Sequence, residues 1–252
     1  MRIAVITGAS SGMGQEFARR LEASETFDEI WVIARRLERL EELANTLETK
    51  TRCIALDLSR KECLDEYAAL LASEQPEVAV LVNGSGYGKF GAFCDIPLEE
   101  QLGMIELNDK ALVAMTYLTL PFMKEGGQIY QIDSLSSFQP VPYIGVYGAT
   151  KAFVLSFSRA LGVELKARGI RVLAVCPGWV KTEFFDRAVR DDTITYYNHF
   201  YTSEEVVTRA LKDMKRGRDV SICGFRIRVQ VFFTKLMPHR LVMKIWCIQQ
   251  KK

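Results

Sequence analysis

The stretch Ile3-Ala4-Val5-Ile6-Thr7-Gly8-Ala9-Ser10-Ser11-Gly12-Met13-Gly14 decides the fold of this chain. Its first four residues form a continuous apolar run, which is typical of a strand buried on both faces of a parallel sheet. The glycines that follow allow backbone conformations and close approaches that a side chain would block. A helical pattern begins at Gln15. The stretch therefore predicts a strand, a tight turn and a helix, whose free N–H groups and positive dipole end favour a bound phosphate.

Apolar, β-branched runs recur along the rest of the chain and are separated by helical patterns. They cover residues 29–33, 52–56, 78–82, 128–132, 170–175 and, more weakly, 220–223. Continuous apolar strands that alternate with helices indicate an α/β fold, a doubly wound parallel sheet with helices on both faces. In such sheets ligands bind beyond the carboxyl ends of the strands, so we expect the chemistry in the residues that follow each run.

The composition is that of one globular domain. Of the 252 residues, 48% are hydrophobic and 25% are charged, and no Pro/Gly/Ser-rich linker divides the chain. The six cysteines form no Cys-x-x-Cys pair and there are two histidines, so neither a disulfide framework nor a metal site is expected. The first apolar run is short for a signal peptide and no run is long enough to span a membrane, so a cytoplasmic protein is expected.

The formal charge of +2 conceals an asymmetry between the body and the C-terminal end. After Asp219 the chain has no acidic residue and seven basic ones, so the remainder carries 26 basic against 31 acidic residues. We divide the chain into a catalytic unit, 1–224, and a basic amphipathic extension, 225–252. A basic end on an acidic body is a clue about partners.

The end of the second strand predicts the preferred cofactor. An acidic residue there would hold the ribose 2′-hydroxyl of NAD, but the sequence has Arg35 and Arg36. A guanidinium can bind a 2′-phosphate through two parallel hydrogen bonds. These arginines therefore favour NADP(H) over NAD(H).

A second cluster of polar residues follows the fifth strand. Ser134 comes directly after it, and Tyr147 and Lys151 lie four residues apart where a helix is expected to begin near Val146. This spacing places the phenol and the ammonium on one helix face. A free tyrosine titrates near 10, and a neighbouring cation would stabilise its phenolate, so Tyr147 could exchange a proton with a substrate hydroxyl.

These patterns together resemble the classical short-chain dehydrogenase/reductase family. The similarity rests on Thr-Gly-x-x-x-Gly-x-Gly at 7–14, Tyr-x-x-x-Lys at 147–151 and the serine thirteen residues before the tyrosine, and it extends over about residues 3–182. It implies a Rossmann-like fold and an NAD(P)-dependent oxidoreductase acting on CH–OH and C=O groups. The spacing selects Ser134, with Ser136 and Ser137 as neighbouring alternatives.

The resemblance also implies roles for individual residues. Asn108 would support a proton-relay water, Ser134 would hydrogen-bond the substrate carbonyl, and Lys151 would hold the nicotinamide ribose. The implied cofactor site comprises Thr7, Gly8, Ser10, Ser11, Gly12, Met13, Gly14, Arg35, Arg36, Asp57, Leu58, Asn83, Gly86, Tyr147, Lys151, Pro177, Gly178, Val180 and Thr182. A homodimer or homotetramer is expected, and no nucleic-acid partner.

Aromatic residues in the expected substrate lid, about 183–205, favour an apolar substrate. The predicted substrate-binding residues are Ser134, Phe138, Tyr143, Tyr147, Phe184 and Phe185, and Tyr87 and Phe90 could complete the pocket. A hydroxysteroid or bile acid is the preferred substrate class, and a fatty 3-oxoacyl group is the alternative. A non-catalytic nucleotide-sensing protein is the alternative from another class, although it would not need the Ser-Tyr-Lys set.

The basic extension predicts a helix that starts at Pro238. Leu241, Ile245 and Ile248 would share its apolar face. Residues 226–231 alternate like a strand, whereas the resemblance to family members with extended tails would make them helical. We expect the helix to dock on the body or on a second subunit, and contact with a membrane surface is the alternative.

Overall fold

The computed structural model describes residues 1–189 and 193–252, and its centre is a parallel sheet of seven strands. In chain order the nine strands are β1 (Arg2–Thr7), β2 (Glu29–Ala34), β3 (Thr51–Ala55), β4 (Glu77–Asn83), β5 (Gln128–Ile132), β6 (Arg171–Val175), β7 (Trp179–Val180), β8 (Phe200–Tyr201) and β9 (Val220–Ser221). The sheet has the order β3-β2-β1-β4-β5-β6-β9, and β7 and β8 form a separate pair. The predicted α/β doubly wound fold is confirmed, and each predicted strand is found within two residues of its expected bounds.

Ten helices accompany these strands in the described ranges. They are α1 (Gly12–Glu22), α2 (Leu37–Ala44), α3 (Lys61–Glu74), α4 (Leu98–Ile105), α5 (Ala111–Thr119), α6 (Gly145–Glu164), α7 (Phe184–Ala188), α8 (Ser203–Lys215), α9 (Phe225–Leu236) and α10 (His239–Gln249). A π-helical turn, Glu106–Lys110, joins α4 to α5. Asn108 lies in this turn and is buried.

Two apolar cores lie on the two faces of the sheet. Ala4 and Ile6 of β1 face a core with α1, α2 and α8, whereas Ile3 and Val5 face a core with α3, α5 and α6. All four side chains are fully buried. Successive residues of a strand point to opposite faces, so burial on both sides requires the continuous apolar run that opens the chain.

Strand order reverses between β1 and β4, which pair in parallel with each other. At such a reversal the loops after the two strands leave in opposite directions and open a crevice at the carboxyl ends of the strands. The glycine-rich turn after β1 and the segment Gly84–Gly86 after β4 lie at this place. The fold therefore puts the predicted phosphate turn beside the rest of the predicted site.

The C-terminal extension is helical in the structure. Residues 226–231 belong to α9, so the strand-like alternation in the sequence was misleading. Ile227 and Val231 of this helix are buried against Phe138, Ala174 and Cys176. Apolar residues at every fourth position also share one face of a helix. Packing of this face on the body favours the helix over a strand.

Helix α10 packs on the body, but not through the apolar face that the sequence predicts. Leu241, Ile245 and Ile248 are exposed, and the face that packs on the body contains Val242 and Trp246 instead. The Trp246 Nε1 donates a hydrogen bond to the Pro142 oxygen, at 3.0 Å. We propose to keep 225–252 as a distinct extension, because α9 and α10 follow the last strand of the sheet.

The predicted lid, 183–205, contains α7 and β8, while its residues 190–192 lie outside the described residues. Val180 pairs with Tyr201, so the segment returns beside the end of β7. Within 1–189 and 193–252, no helix is long and apolar enough to cross a membrane.

Candidate active site

A cleft of about 1190 Å³ lies at the carboxyl ends of the strands. It is lined by the glycine-rich turn, by Ser134, Tyr147 and Lys151, and by a group of aromatic side chains. The predicted phosphate turn, the predicted catalytic residues and the predicted substrate region therefore share one cavity.

The glycine-rich turn has the shape of a phosphate cradle. Gly8 and Gly12 have φ angles of +68° and +54°, in the left-handed region where a side chain is strained. A Cβ on Gly14 would lie 2.3 Å from the Gly8 oxygen. Helix α1 starts after Ser11 without a side-chain cap and without an acidic residue in its first turn. Its first N–H groups are thus available to an anion, and the residues fit a dinucleotide pyrophosphate.

Two predicted cofactor residues act behind this turn rather than on its surface. The Thr7 hydroxyl accepts hydrogen bonds from the backbone N–H groups of Gly84 and Ser85, at 3.0 and 3.1 Å. The Asn83 amide donates to Thr116 and Gln131. Both side chains are buried and outside the lining of the cleft. Because β1 and β4 are neighbours, Thr7 fixes the loops after these two strands to each other.

The arginines after β2 line the cleft as expected, together with Asp57 and Leu58 after β3. The Arg36 guanidinium lies 3.2 Å from the Ser10 hydroxyl and 2.8 Å from the Glu183 carboxylate. Arg36 therefore links the glycine-rich turn to the start of the lid.

The proposed catalytic residues lie close together in the cleft. The Tyr147 hydroxyl shares a hydrogen bond with Ser134, which favours Ser134 over Ser136 and Ser137. The Lys151 ammonium lies 5.7 Å from the centre of the Tyr147 ring and donates a hydrogen bond of 2.7 Å to the Ile132 oxygen. Helix α6 begins at Gly145, as predicted, and so it presents Tyr147 and Lys151 on one face.

The expected effect of Lys151 on Tyr147 is not what the structure shows. Burial raises the pKa of Tyr147 above its ordinary value, and the hydrogen bond with Ser134 opposes this effect. Burial also lowers the pKa of Lys151, which the carboxylates of Asp133 and Asp109 oppose. The cation is directed at a backbone oxygen, so desolvation dominates and Tyr147 stays a neutral phenol, the form that donates a proton.

The sequence analysis missed Asp133, which precedes the proposed catalytic serine. Its side chain is buried, and its carboxylate accepts a hydrogen bond of 3.1 Å from the Cys176 thiol. Burial raises the pKa of Asp133 to about 7, while the positive charge of Lys151 lowers it. An acidic residue directly after an apolar strand was the visible signal, because a buried carboxyl needs a specific partner.

Asn108 lies in the π-helical turn and is fully buried. Its Oδ1 accepts a hydrogen bond from the Tyr87 N–H at 3.0 Å, and its Nδ2 donates to the Tyr87 oxygen and to the Thr150 hydroxyl at 2.9 and 3.1 Å. Gly86 approaches closely, since a Cβ there would lie 2.9 Å from Asn108 Oδ1. Asn108 therefore fixes the loop after β4 to α6, the helix that carries Tyr147.

The remaining predicted residues divide between the cleft and its surroundings. Gly86, Pro177, Gly178, Val180 and Thr182 line the cleft, as do Gly8, Ser10, Ser11, Gly12, Met13 and Gly14. Tyr143 has a φ of +66° and packs in the apolar cluster that also contains Tyr147 and Phe184, although it is not among the residues that line the cleft.

Aromatic residues cover the side of the cleft beyond Tyr147, and we call this group the aromatic wall. It consists of Phe90, Phe138, Trp179, Phe184 and Phe185. The Phe184 ring centre lies 5.5 Å from that of Tyr147, so the wall reaches the proposed catalytic phenol. The extension adds Val231, Phe233, Val242, Ile245 and Trp246, which the sequence analysis did not place in the site.

Comparison with known proteins identifies the family. A family model described as short chain dehydrogenase matches residues 2–193. An uncharacterized oxidoreductase of Staphylococcus epidermidis is 31% identical over 183 residues, which are 72% of this chain and 79% of that protein. A very-long-chain 3-oxoacyl-CoA reductase of Danio rerio is 35% identical over 227 residues, covering 85% of this chain and 69% of that protein.

A solved structure agrees with these relatives. A short-chain dehydrogenase of Sphingobium yanoikuyae in complex with NADPH has a TM-score of 0.77 and 30% identity, and the match covers 88% of this chain and 87% of that one. The family model, the relatives and the cleft with its Ser-Tyr-Lys contact agree. This chain therefore belongs to the short-chain dehydrogenase/reductase family and is an NAD(P)-dependent oxidoreductase.

Proposed function

We propose that this protein uses NADP(H) to interconvert a ketone and a secondary alcohol on a long apolar substrate, with a fatty 3-oxoacyl thioester as the first candidate. The observation that carries this proposal is the contact of Ser134 and Tyr147 in a cleft that also holds the glycine-rich turn and the aromatic wall. One cavity thus offers a place for a dinucleotide, a proton donor and an apolar surface.

The nicotinamide, when bound, supplies the hydride that reduces the carbonyl carbon, or accepts it in the reverse reaction. Tyr147 gives its phenolic proton to the carbonyl oxygen as negative charge develops there, and takes it back in the oxidation. The Ser134 hydroxyl holds the same oxygen in place. Lys151 is buried with its ammonium on the Ile132 oxygen, and we assign it to holding the nicotinamide ribose beside Tyr147.

The aromatic wall and the extension support this substrate class. Phe138 and Phe184 lie on the same cavity as Trp246 of α10, so the apolar surface continues from Tyr147 to the C-terminal helices. A long acyl chain could use this length, and the similar Danio rerio protein carries a name for very-long-chain 3-oxoacyl reduction. These two observations move the preference from the hydroxysteroid or bile acid to the 3-oxoacyl group.

A substrate panel tests this choice. We would measure NADPH oxidation with 3-oxoacyl thioesters of increasing chain length, and with oxosteroids and oxidised bile acids. The expected result is that kcat/KM rises about 4-fold for each added methylene until the apolar surface is filled, since burying one CH₂ contributes about 0.8 kcal/mol. A flat chain-length series with high activity on a steroid would replace the acyl proposal with the steroid one. No NADPH oxidation with any member would favour a nucleotide-sensing protein.

Cofactor preference gives a second test. Arg35 and Arg36 line the cleft after β2, where their positive charge can meet a 2′-phosphate. We expect Arg35→Asp to lower kcat/KM for NADPH by about 10-fold or more and to leave the value for NADH nearly unchanged, because one charge-assisted bond is replaced by repulsion. Arg39→Asp is the matched control, since Arg39 is exposed and pairs with Glu42 outside the cleft. Equal efficiency of the wild type with both cofactors would contradict the assignment.

A further inference from the structure

Each of the two helices of the extension has two apolar faces. One face is buried on the body and the other is exposed. In α9, Ile227, Val231 and Thr234 are buried. The exposed apolar residues of the same helix recur at steps of three and four and so share one face: Phe225, Val229, Phe232, Phe233 and Leu236. Phe225 and Leu236 are 73% and 67% exposed. Large apolar side chains in such a contiguous row mark an interaction surface.

Helix α10 repeats this arrangement. Val242, Trp246 and Gln250 face the body, and the side-chain Oε1 of Gln250 accepts hydrogen bonds from the Thr195 and Tyr196 N–H groups at 2.9 and 3.0 Å. Its opposite row is exposed: Leu241, Ile245 and Ile248. The buried rows of α9 and α10 therefore pack on the body, and the exposed rows do not. We call the exposed rows of α9 and α10 the outer face.

The charge around the outer face has one sign. Between Val220 and Lys252 the chain carries seven basic residues and no acidic one. Arg226, Lys235, Arg240 and Lys244 are exposed on the same two helices. Apolar rows flanked by arginine and lysine are the composition of helices that lie in the surface of a bilayer with anionic lipids.

A second copy of this chain is a poorer occupant. In a two-fold symmetric dimer the same patch meets itself, so the basic residues of one outer face would lie against those of the other. Like charges brought together in this way oppose association. An anionic lipid surface offers both the apolar phase and the opposite charge.

The outer face is continuous with the cleft. Phe233 of α9 and Ile245 of α10 are exposed and also line the cavity that contains Tyr147. The apolar surface thus runs from the outside of the extension into the aromatic wall. A membrane on the outer face would lie directly at this opening.

We propose that α9 and α10 hold the protein on an anionic membrane surface and that the apolar substrate reaches Tyr147 from the lipid through the opening at Phe233 and Ile245. The membrane contact stands on exposure and charge, whereas the route of the substrate rests on the proposed function. The two parts are therefore measured separately.

The first experiment is co-sedimentation of the full chain with vesicles. The wild type should sediment with an equal mixture of phosphatidylcholine and phosphatidylserine, remain in solution with phosphatidylcholine alone, and be partly released by salt. Phe232→Ser combined with Leu236→Ser, and Arg240→Glu combined with Lys244→Glu, should each lower the bound fraction about 10-fold. None of these four residues lines the cleft. Tyr117→Ser and Val163→Ser, 75% and 76% exposed on α5 and α6, are matched controls that should bind like the wild type.

Several outcomes would overturn the membrane contact. These are a wild type that stays in solution with both kinds of vesicle, variants that sediment as well as the wild type, and a lipid-free wild-type dimer that Phe232→Ser with Leu236→Ser converts to a monomer. The last result would assign the outer face to a second copy. Binding to an acidic protein without binding to vesicles would also refute the proposal.

The second experiment addresses the route. With a short water-soluble 3-oxoacyl thioester, the variants of the outer face should keep the wild-type kcat/KM, which also shows that they fold. With a long-chain thioester embedded in anionic vesicles, they should lose about 10-fold relative to the wild type. Equal loss on both substrates, or none on either, would overturn the route. Absence of activity in the wild type on all thioesters would refute the proposed function, while the sedimentation result would stand by itself.

Discussion

At the scale of single residues, the buried carboxyl beside the proposed catalytic serine governs part of the pH dependence of stability. Burial raises the pKa of Asp133 to about 7, while a carboxyl in an unfolded chain titrates near 4. The folded protein therefore keeps a proton that the unfolded chain releases. The contribution of Asp133 to the free energy of unfolding is largest below about pH 4, and it is lost as the pH rises through about 7.

Asp133→Asn should remove this dependence, because an amide can still accept the hydrogen bond from Cys176 but does not ionise. We expect the Tm of the variant relative to the wild type to rise by ~2 °C or more between about pH 5 and about pH 8. Thermal unfolding at the two pH values measures this. Asp65→Asn, at an exposed carboxylate, is the control. A Tm difference that does not change with pH would show that Asp133 does not titrate in this range.

Some residues of the site could be placed from the sequence, and others could not. Ser134, Tyr147 and Lys151 could be placed from spacing, because a helix fixes residues four apart on one face. Thr7 and Asn83 could not be distinguished from residues that line the cleft. Whether a side chain at a strand end points into a cavity or toward the neighbouring loop depends on the strand next to it, which is distant in sequence.

At the scale of elements, the π-helical turn joins the loop after β4 to α6. The Asn108 side chain, which lies in this turn, forms hydrogen bonds with both the backbone N–H and the backbone oxygen of Tyr87. Asn108→Ala should leave these two buried groups without partners and lower the free energy of unfolding by about 2–4 kcal/mol, since each unsatisfied group costs about 1–3 kcal/mol. Urea denaturation measures the loss. Lys110→Ala, exposed on the same turn, is the control, and an equal effect of the two substitutions would contradict the role of Asn108.

Strands were easier to predict than the faces of helices. A strand buried on both sides is apolar at every position, so its run in the sequence marks it without knowledge of its neighbours. Helix α10 has Leu241 and Ile245 on one side and Val242 and Trp246 on the other, and both rows recur at helical spacing. Periodicity alone cannot show which row packs on the body. The hydrogen bond from Trp246 to Pro142 decides it in the structure.

At the scale of the whole molecule, the extension covers apolar side chains of the body that would otherwise meet water. Trp246 packs in an apolar cluster that includes Ile144 and Ile194, and Val242 of the same helix is buried. Deletion of the residues after Met237 should lower the Tm by ~5 °C or more, because this cluster and part of the cleft would meet water. Differential scanning calorimetry measures the change.

The matched control keeps the helix and changes its outer row. Leu241→Ser combined with Ile248→Ser should leave the Tm within about 2 °C of the wild type, because both side chains are already exposed. A truncated protein with the wild-type Tm would show that the inner row contributes little to stability. A large loss in the double variant would show that the outer row is covered, for instance by a second subunit.

The central claim is that Tyr147 transfers the proton during reduction of a long apolar ketone by NADPH. Its most direct test is the rate of NADPH oxidation with a long-chain 3-oxoacyl thioester in the wild type and in Tyr147→Phe, together with the affinity of each for NADPH from a fluorescence titration. The account predicts a loss of ~10²-fold or more in kcat, as expected of a general acid, with NADPH affinity nearly unchanged. A variant that keeps more than about a tenth of the wild-type rate would contradict it.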